Sequence, residues 1–134
     1  MPTPDPVSVE DLLNIHDRVV NSPDGAAPGI RDAGSLEAAV ARPYATFGSV
    51  EFYSTPFAKA AALMESISQR HPFVDGNKRT GLLAEAFSLD LAGYRLDVSQ
   101  SEETEVAVQV AEHHLTVEDL TRWFEEHTYL SGRM

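Results

Sequence analysis

Two consecutive stretches of this chain repeat apolar residues at helical spacing, and neither can be stable unless further helices cover it. In the first, Phe57, Ala60, Ala61, Met64 and Ile67 fall on one face. Thr55 as N-cap and Pro56 at the first helical position mark its start. That stripe reads as core, not as a binding feature. The second, "LLAEAFSLDLAG", carries Leu82, Leu83, Ala86, Phe87 and Leu91 and stops at Gly93, a residue type that takes the left-handed conformation ending a helix. Being apolar nearly all round, it is expected at the buried centre of the domain.

The remaining chain supplies the cover. Ser8 and Asp11 have capping-box spacing, and Val9, Leu12, His16 and Val19 make one face of a helix to about Asn21. "SPDGAAPG" reads as loop. A short helix from Ser35 should end at Arg42, because Pro43 disfavours α geometry in the residue before it. "YATFGSVEFYST" mixes aromatic, β-branched and glycine residues, and reads as a small hairpin or an extended flap. Two more helices are expected, about Glu102 to His113 and Thr116 to His127. Thr116 and Asp119 are at capping spacing in the latter, with Leu120, Trp123 and Phe124 packing inward. "VAVQV" alternates like a strand, but its flanks favour helix. The class is all-α with at most a hairpin added: one domain over residues 7–130, after a leader, residues 1–6, expected to be disordered.

Composition narrows the chemistry. No apolar run approaches the roughly 20 residues of a membrane span, and "MPTPDPVSVE" lacks the basic and apolar regions of a signal peptide, so a cytoplasmic protein is expected. The chain has no cysteine, which removes disulfides, thiolate metal sites and thiol nucleophiles. Ten basic against 21 acidic residues give a formal charge of −11. Such a balance repels a phosphate backbone, so no nucleic-acid partner is expected.

Against that background, "HPFVDGNKRTG" from His71 to Gly81 stands out, joining the end of one core helix to the start of the next. "DGN" is loop chemistry, and Asp75 or Asn77 is placed to cap the following helix. Helix N-termini attract anions, because their first N–H groups lack partners and the dipole is positive there. Gly76 permits close backbone approach, while Lys78 and Arg79 put positive charge where the helix alone disfavours it. Cations set against the dipole imply a bound anion, most simply phosphate. Asp75 is a hard oxygen ligand of the kind that holds Mg2+ beside substrate phosphates. His71 can accept a proton from an attacking hydroxyl. Base, metal carboxylate, anion cradle and cations describe a phosphoryl or nucleotidyl transfer site. Phe73 reads as a packing anchor. Any one feature is commonly structural. Six specified positions coincide by chance with odds on the order of 10⁻⁸ per site at average composition.

The stretch resembles the signature of the Fic superfamily, H-P-F-x-[DE]-G-N-G-R-x-x-R, with Lys78 at the second glycine and Leu82 at the second arginine. Those departures resemble the Doc, "death on curing", branch, as do "LLNIHDRVV", "PGIRDAGSLEAAVARP" and "AGYRL". The resemblance implies a compact Fic-fold helical bundle. It implies His71 as base, Asp75 as Mg2+ ligand, and Gly76, Asn77, Lys78 and Arg79 as phosphate cradle, with His71, Asp75, Lys78 and Arg79 taking part in catalysis. ATP and Mg2+ would be required. Doc-like proteins with the lysine are thought to turn the nucleotide around and transfer the γ-phosphate to a threonine of elongation factor Tu, stalling translation. Fic proteins with the glycine transfer AMP instead, and a catalytically silent binding module is the third alternative. The retained His71, Asp75, Asn77 and Arg79 favour an enzyme. The resemblance also implies a Phd-like antitoxin whose disordered tail folds as a helix into an apolar groove. Tyr44 to Tyr53 correspond to a target-holding flap, or to a plain packed loop. "SEETEV", Ser101 to Val106, lacks the last residue of an internal inhibitory motif. His16 is expected as a hydrogen-bonded core residue, and His113, His114 and His127 near helix ends, with no metal site among them.

Overall fold

The computed structural model describes residues 6–131. Six helices carry the chain: α1 (Val9–Val20), α2 (Ala33–Ala41), α3 (Pro56–Arg70), α4 (Asn77–Leu91), α5 (Gln100–Ala111) and α6 (Val117–His127). A 3-10 turn, Arg42–Tyr44, follows α2. Strands β1 (Thr46–Phe47) and β2 (Val50–Glu51) form the hairpin before α3, and β3 (Tyr94–Leu96) pairs antiparallel with β4 (Thr128–Leu130). The all-α architecture with a small flap hairpin is thus observed. Most of the expected leader, residues 1–5, lies outside the described residues.

Local signals set the helix starts. Ser8, Ser99 and Thr116 form reciprocal capping boxes with Asp11, Glu102 and Asp119. Thr55 accepts from the Ala58 N–H, and Pro56 opens α3 as read. Three boundaries differ. Helix α2 begins two residues early, because Asp32 rather than Ser35 caps it by accepting from the Gly34 N–H. Arg42 keeps α geometry (φ −55°, ψ −42°) in front of Pro43, so the chain tightens into a 3-10 turn instead of breaking. Helix α5 starts at Gln100 rather than Glu102, behind its Ser99 cap.

The centre is α3, not α4. Leu12, Leu36, Ala39, Leu63, Ile67, Phe73 and Ala84 form one buried cluster between α1, α2, α3 and α4. Ala60, Ala61, Met64, Leu89, Ala107, Val110, Leu120 and Phe124 form the other, between α3, α4, α5 and α6. Both α3 and α4 feed the two clusters, but α3 buries more of its residues and α4 leaves Leu83 and Leu91 exposed. The small residues Ala60, Ala61 and Ala62 let neighbouring helices approach α3 closely. Closest is Gly81 of α4, where an added Cβ would stand 3.1 Å from Ser68 Oγ and 3.2 Å from the Met64 carbonyl oxygen. This crossing presses the start of α4 against the end of α3 and fixes how the intervening loop must turn.

One core residue is a carboxylic acid. Glu85 on α4 is fully buried, and neither carboxylate oxygen has a hydrogen-bond partner among the described residues. Burial, with a smaller contribution from the charge of Glu103, pushes its carboxyl well above the ordinary value of 4.5. The folded chain therefore keeps a proton that the unfolded chain releases. Stability is fully present below the unfolded value and is lost as pH rises toward the folded one. Glu85→Gln, which cannot ionise, is expected to leave the urea midpoint nearly unchanged at about pH 4 and to raise it at about pH 8. An equal change at both would show that Glu85 does not carry this pH dependence.

Candidate active site at the junction of α3 and α4

Pro72 favours the end of α3 at His71, because the residue before a proline is disfavoured in α geometry. His71 takes up the turn as a left-handed C-cap, φ 51° and ψ 60°. Pro72 and Phe73 then drop into the core, with Phe73 fully buried. A buried peptide needs partners for its N–H and C=O, and Asn77 supplies both. Its Oδ1 accepts from the Phe73 N–H at 3.0 Å and its Nδ2 donates to the Phe73 carbonyl at 2.9 Å. Neither Asp75 nor Asn77 caps α4 as expected. The cap residue is Gly76 (φ 78°), with no side-chain cap bond, because the amide that would cap is spent on Phe73. Gly76 is required for space as well as conformation: an added Cβ would lie 3.0 Å from Val19 Cγ1 and 3.1 Å from Ala26 Cβ.

Helix α1 and the loop after it form the wall behind the motif. His16, 4% exposed, donates from Nε2 to the Asp75 carbonyl at 2.9 Å, and its ring stacks on Phe73 with centroids 3.9 Å apart and planes 5° from parallel. Val74 N–H donates to the Gly29 carbonyl at 3.0 Å, and the Arg31 and Asp32 N–H groups both donate to the Pro72 carbonyl, at 2.7 and 3.1 Å. The Arg31 side chain donates from Nε to the His71 carbonyl at 2.5 Å and from Nη2 to the Arg70 carbonyl at 2.6 Å.

The six residues singled out in the sequence, His71, Asp75, Gly76, Asn77, Lys78 and Arg79, come together with Val74 around one open cleft of about 310 Å³. Asp75 is exposed there. One oxygen accepts from Ala27 N–H at 3.0 Å and the other from Gly76 N–H at 2.9 Å. Those two backbone bonds, then weaker attraction to Arg79 and His16, hold its carboxyl below the usual range. Each oxygen keeps an unused lone pair. Lys78 is exposed and makes no hydrogen bond or ion pair among the described residues. Arg79, half-buried, is partly engaged: Nη2 donates to the Gly25 carbonyl at 2.5 Å and Nη1 to Ser22 Oγ at 3.5 Å. It shapes the wall of the cleft as well as its charge.

Two residues that matter to this geometry, His16 and Arg31, were not assigned to the site from sequence. His16 is correctly read as a hydrogen-bonded core residue, but its bond reaches the motif loop across 59 positions. Arg31 has no local partner pattern at all.

Chemically, the cleft offers an imidazole, an ionised carboxylate, an uncapped helix N-terminus and a free ammonium. This is a helical domain with an uncapped helix N-terminus and its loop placed beside an imidazole. A model of the Fic/DOC family matches residues 6–89, more than half the chain, so the protein belongs to that family. The protein called Toxin Doc from Mycolicibacterium smegmatis is 45% identical over 78 residues, 55% of this chain and 60% of the relative. The matched region thus spans less than two thirds of that relative's length.

Removing the Asn77 amide strands two buried main-chain groups, each costing roughly 1–3 kcal/mol. Asn77→Ala is expected to lower stability by about 2–4 kcal/mol in urea unfolding. A loss below about 0.5 kcal/mol, the range of ordinary surface changes, would show that the amide does not hold the loop.

Proposed function

We propose that this protein is a Doc-like toxin that uses ATP and Mg2+ to transfer the γ-phosphoryl group to a serine or threonine hydroxyl of a protein, with elongation factor Tu as the target and arrested translation as the result. The observation that carries this reading is the gathering of His71, Asp75 and Lys78 around one cleft at an uncapped helix N-terminus.

The residues fit the metal. Among the described residues no cluster of three or more metal-ligating side chains occurs. Mg2+ suits such a place, because it is commonly held by one or two carboxylates together with water and substrate phosphates. Asp75, ionised and with a lone pair free on each oxygen, is the residue that would hold it. Bound there, Mg2+ supplies charge neutralisation for the phosphates.

Each of the chain's own groups has a part. His71 accepts the proton of the attacking hydroxyl, general-base work that is worth roughly 10²–10⁴ in rate. Gly76 lets the backbone come close to the phosphates, and the first N–H groups of α4 point toward them. Lys78 adds an unpaired positive charge, and its side chain occupies space that a second glycine would leave open. Leu82 packs against the core, so the position of the family's second arginine adds no cation here. Both features favour phosphoryl over AMP transfer.

A Phd-like antitoxin is the partner proposed for the other side of the molecule. A pocket of about 390 Å³ lies between α1, α4, β3 and α5, with Ile15, Leu83, Phe87, Leu89 and Leu96 as apolar walls and the charged Arg18, Asp90, Arg95 and Glu103 also lining it. Its dimensions and lining suit an amphipathic helix. No helix among the described residues is long and apolar enough to cross a membrane.

The test incubates purified protein and cell extract with Mg2+ and either γ-labelled or α-labelled ATP. Label on a protein band from the γ-position alone, reduced at least 100-fold by His71→Ala at unchanged circular dichroism, is the expected result. Label from the α-position would make it an adenylyltransferase. No label from either would leave a silent binding module.

A further inference from the structure

One residue outside the motif takes hold of three successive peptide groups at its head. The Arg31 main-chain N–H donates to the Pro72 carbonyl, its Nε to the His71 carbonyl and its Nη2 to the Arg70 carbonyl. From this we infer that Arg31 is a positioning residue, which holds His71 in the left-handed conformation from which it acts. The inference rests on the reading of His71 as base.

Left-handed geometry is disfavoured for any residue with a Cβ. Among the described residues only His71 and His113 adopt positive φ without being glycine. Such a conformation persists only where the surroundings over-determine it. Pro72 disfavours continued helix at His71 but does not select the left-handed alternative. The fork of Arg31 does select it. Two N–H groups of one planar guanidinium can meet the Arg70 and His71 carbonyls together only while those carbonyls keep their present relation, which the His71 dihedrals set.

The last carbonyls of α3 lack helical partners and carry the negative end of its dipole, so a cation is favoured there in any case. A generic cap, however, would be served by a lysine, which is a point charge without a fork. Arg31 lies at salt-bridge distance from none of the described carboxylates. It is exposed as well, so truncating it opens no cavity.

The test has two arms. In the first, His71→Gly is made in the unaltered chain and in Arg31→Ala, and urea midpoints are compared. Glycine relieves left-handed strain, so the midpoint should rise in the unaltered chain. In Arg31→Ala, where His71 is free to leave that conformation, the rise should vanish. Equal rises in both backgrounds would overturn the inference. In the second arm, steady-state transfer by Arg31→Ala should show kcat reduced at least 10-fold with the KM for ATP unchanged. Arg31→Lys, which keeps the charge and loses the fork, should be no better than Arg31→Ala. Full rescue by lysine would reduce Arg31 to an electrostatic cap. If the unaltered protein transfers nothing, the assignment of His71 as base fails, yet the stability arm still decides whether Arg31 holds it.

Discussion

Two hydrogen bonds from the Asn77 amide to the main chain of Phe73 hold the site together. They close the loop between α3 and α4 on itself and leave the Phe73 ring nowhere to go but the core. Once Phe73 is fixed, His16 can stack on it and reach the Asp75 carbonyl. Once Asp75 is fixed, its two oxygens can take the Ala27 and Gly76 N–H groups. Each later contact depends on the earlier one. Breaking a buried amide pair is costlier than its net contribution to stability would indicate, because the stranded groups lose their solvation without replacement.

The charge of the cleft runs against the charge of the chain. With a formal charge of −11, most of the surface repels a nucleotide, and at physiological ionic strength that repulsion reaches about 8 Å. Lys78 and Arg79 sit in the first turn of α4, where the dipole costs a cation a few tenths of a kcal/mol up to about 1 kcal/mol. Arg79 recovers part of that through the Gly25 carbonyl. Lys78 has no such partner among the described residues. Its placement is unfavourable for the isolated domain and favourable only with an anion present, which makes it the clearest mark of function in the cleft.

How much of this could be read in advance depended on the range of the interaction. Capping at Ser8, Thr55 and Thr116 acts over three residues and was legible, as were the apolar stripe of α3 and the gathering of the motif residues. The identity of the central helix was not. Periodicity weighs apolar density, and "LLAEAFSLDLAG" sets its apolar residues closer together than α3 does. Centrality depends instead on how many neighbours a helix touches, and the alanines of α3 admit neighbours on both sides. Pairing of β3 with β4 joins Tyr94 to Leu130, two three-residue strands too short to show a pattern. Arg31 and His16 act on the motif from 40 and 59 positions away. No spacing rule reaches so far, and only the folded geometry shows that the loop has supports on two sides.

Those supports divide the work between two helices. His71, the proposed base, stands at the end of α3 and the N–H groups of the proposed anion cradle at the start of α4, so the distance between them is a distance between helices. It is set at Gly81, where α4 lies so close to Ser68 and Met64 that an added Cβ would push its neighbours aside by a few tenths of an ångström. Catalytic groups must be held to within a fraction of an ångström to be useful, and packed helix interfaces yield far less than loops do. A close helix contact thus lies just behind the site: five residues from Gly76, it carries no group that reacts. Strain at His71 and close packing at Gly81 are then two parts of one arrangement. In the proposed reading, the first aims the imidazole and the second fixes the cradle it is aimed across.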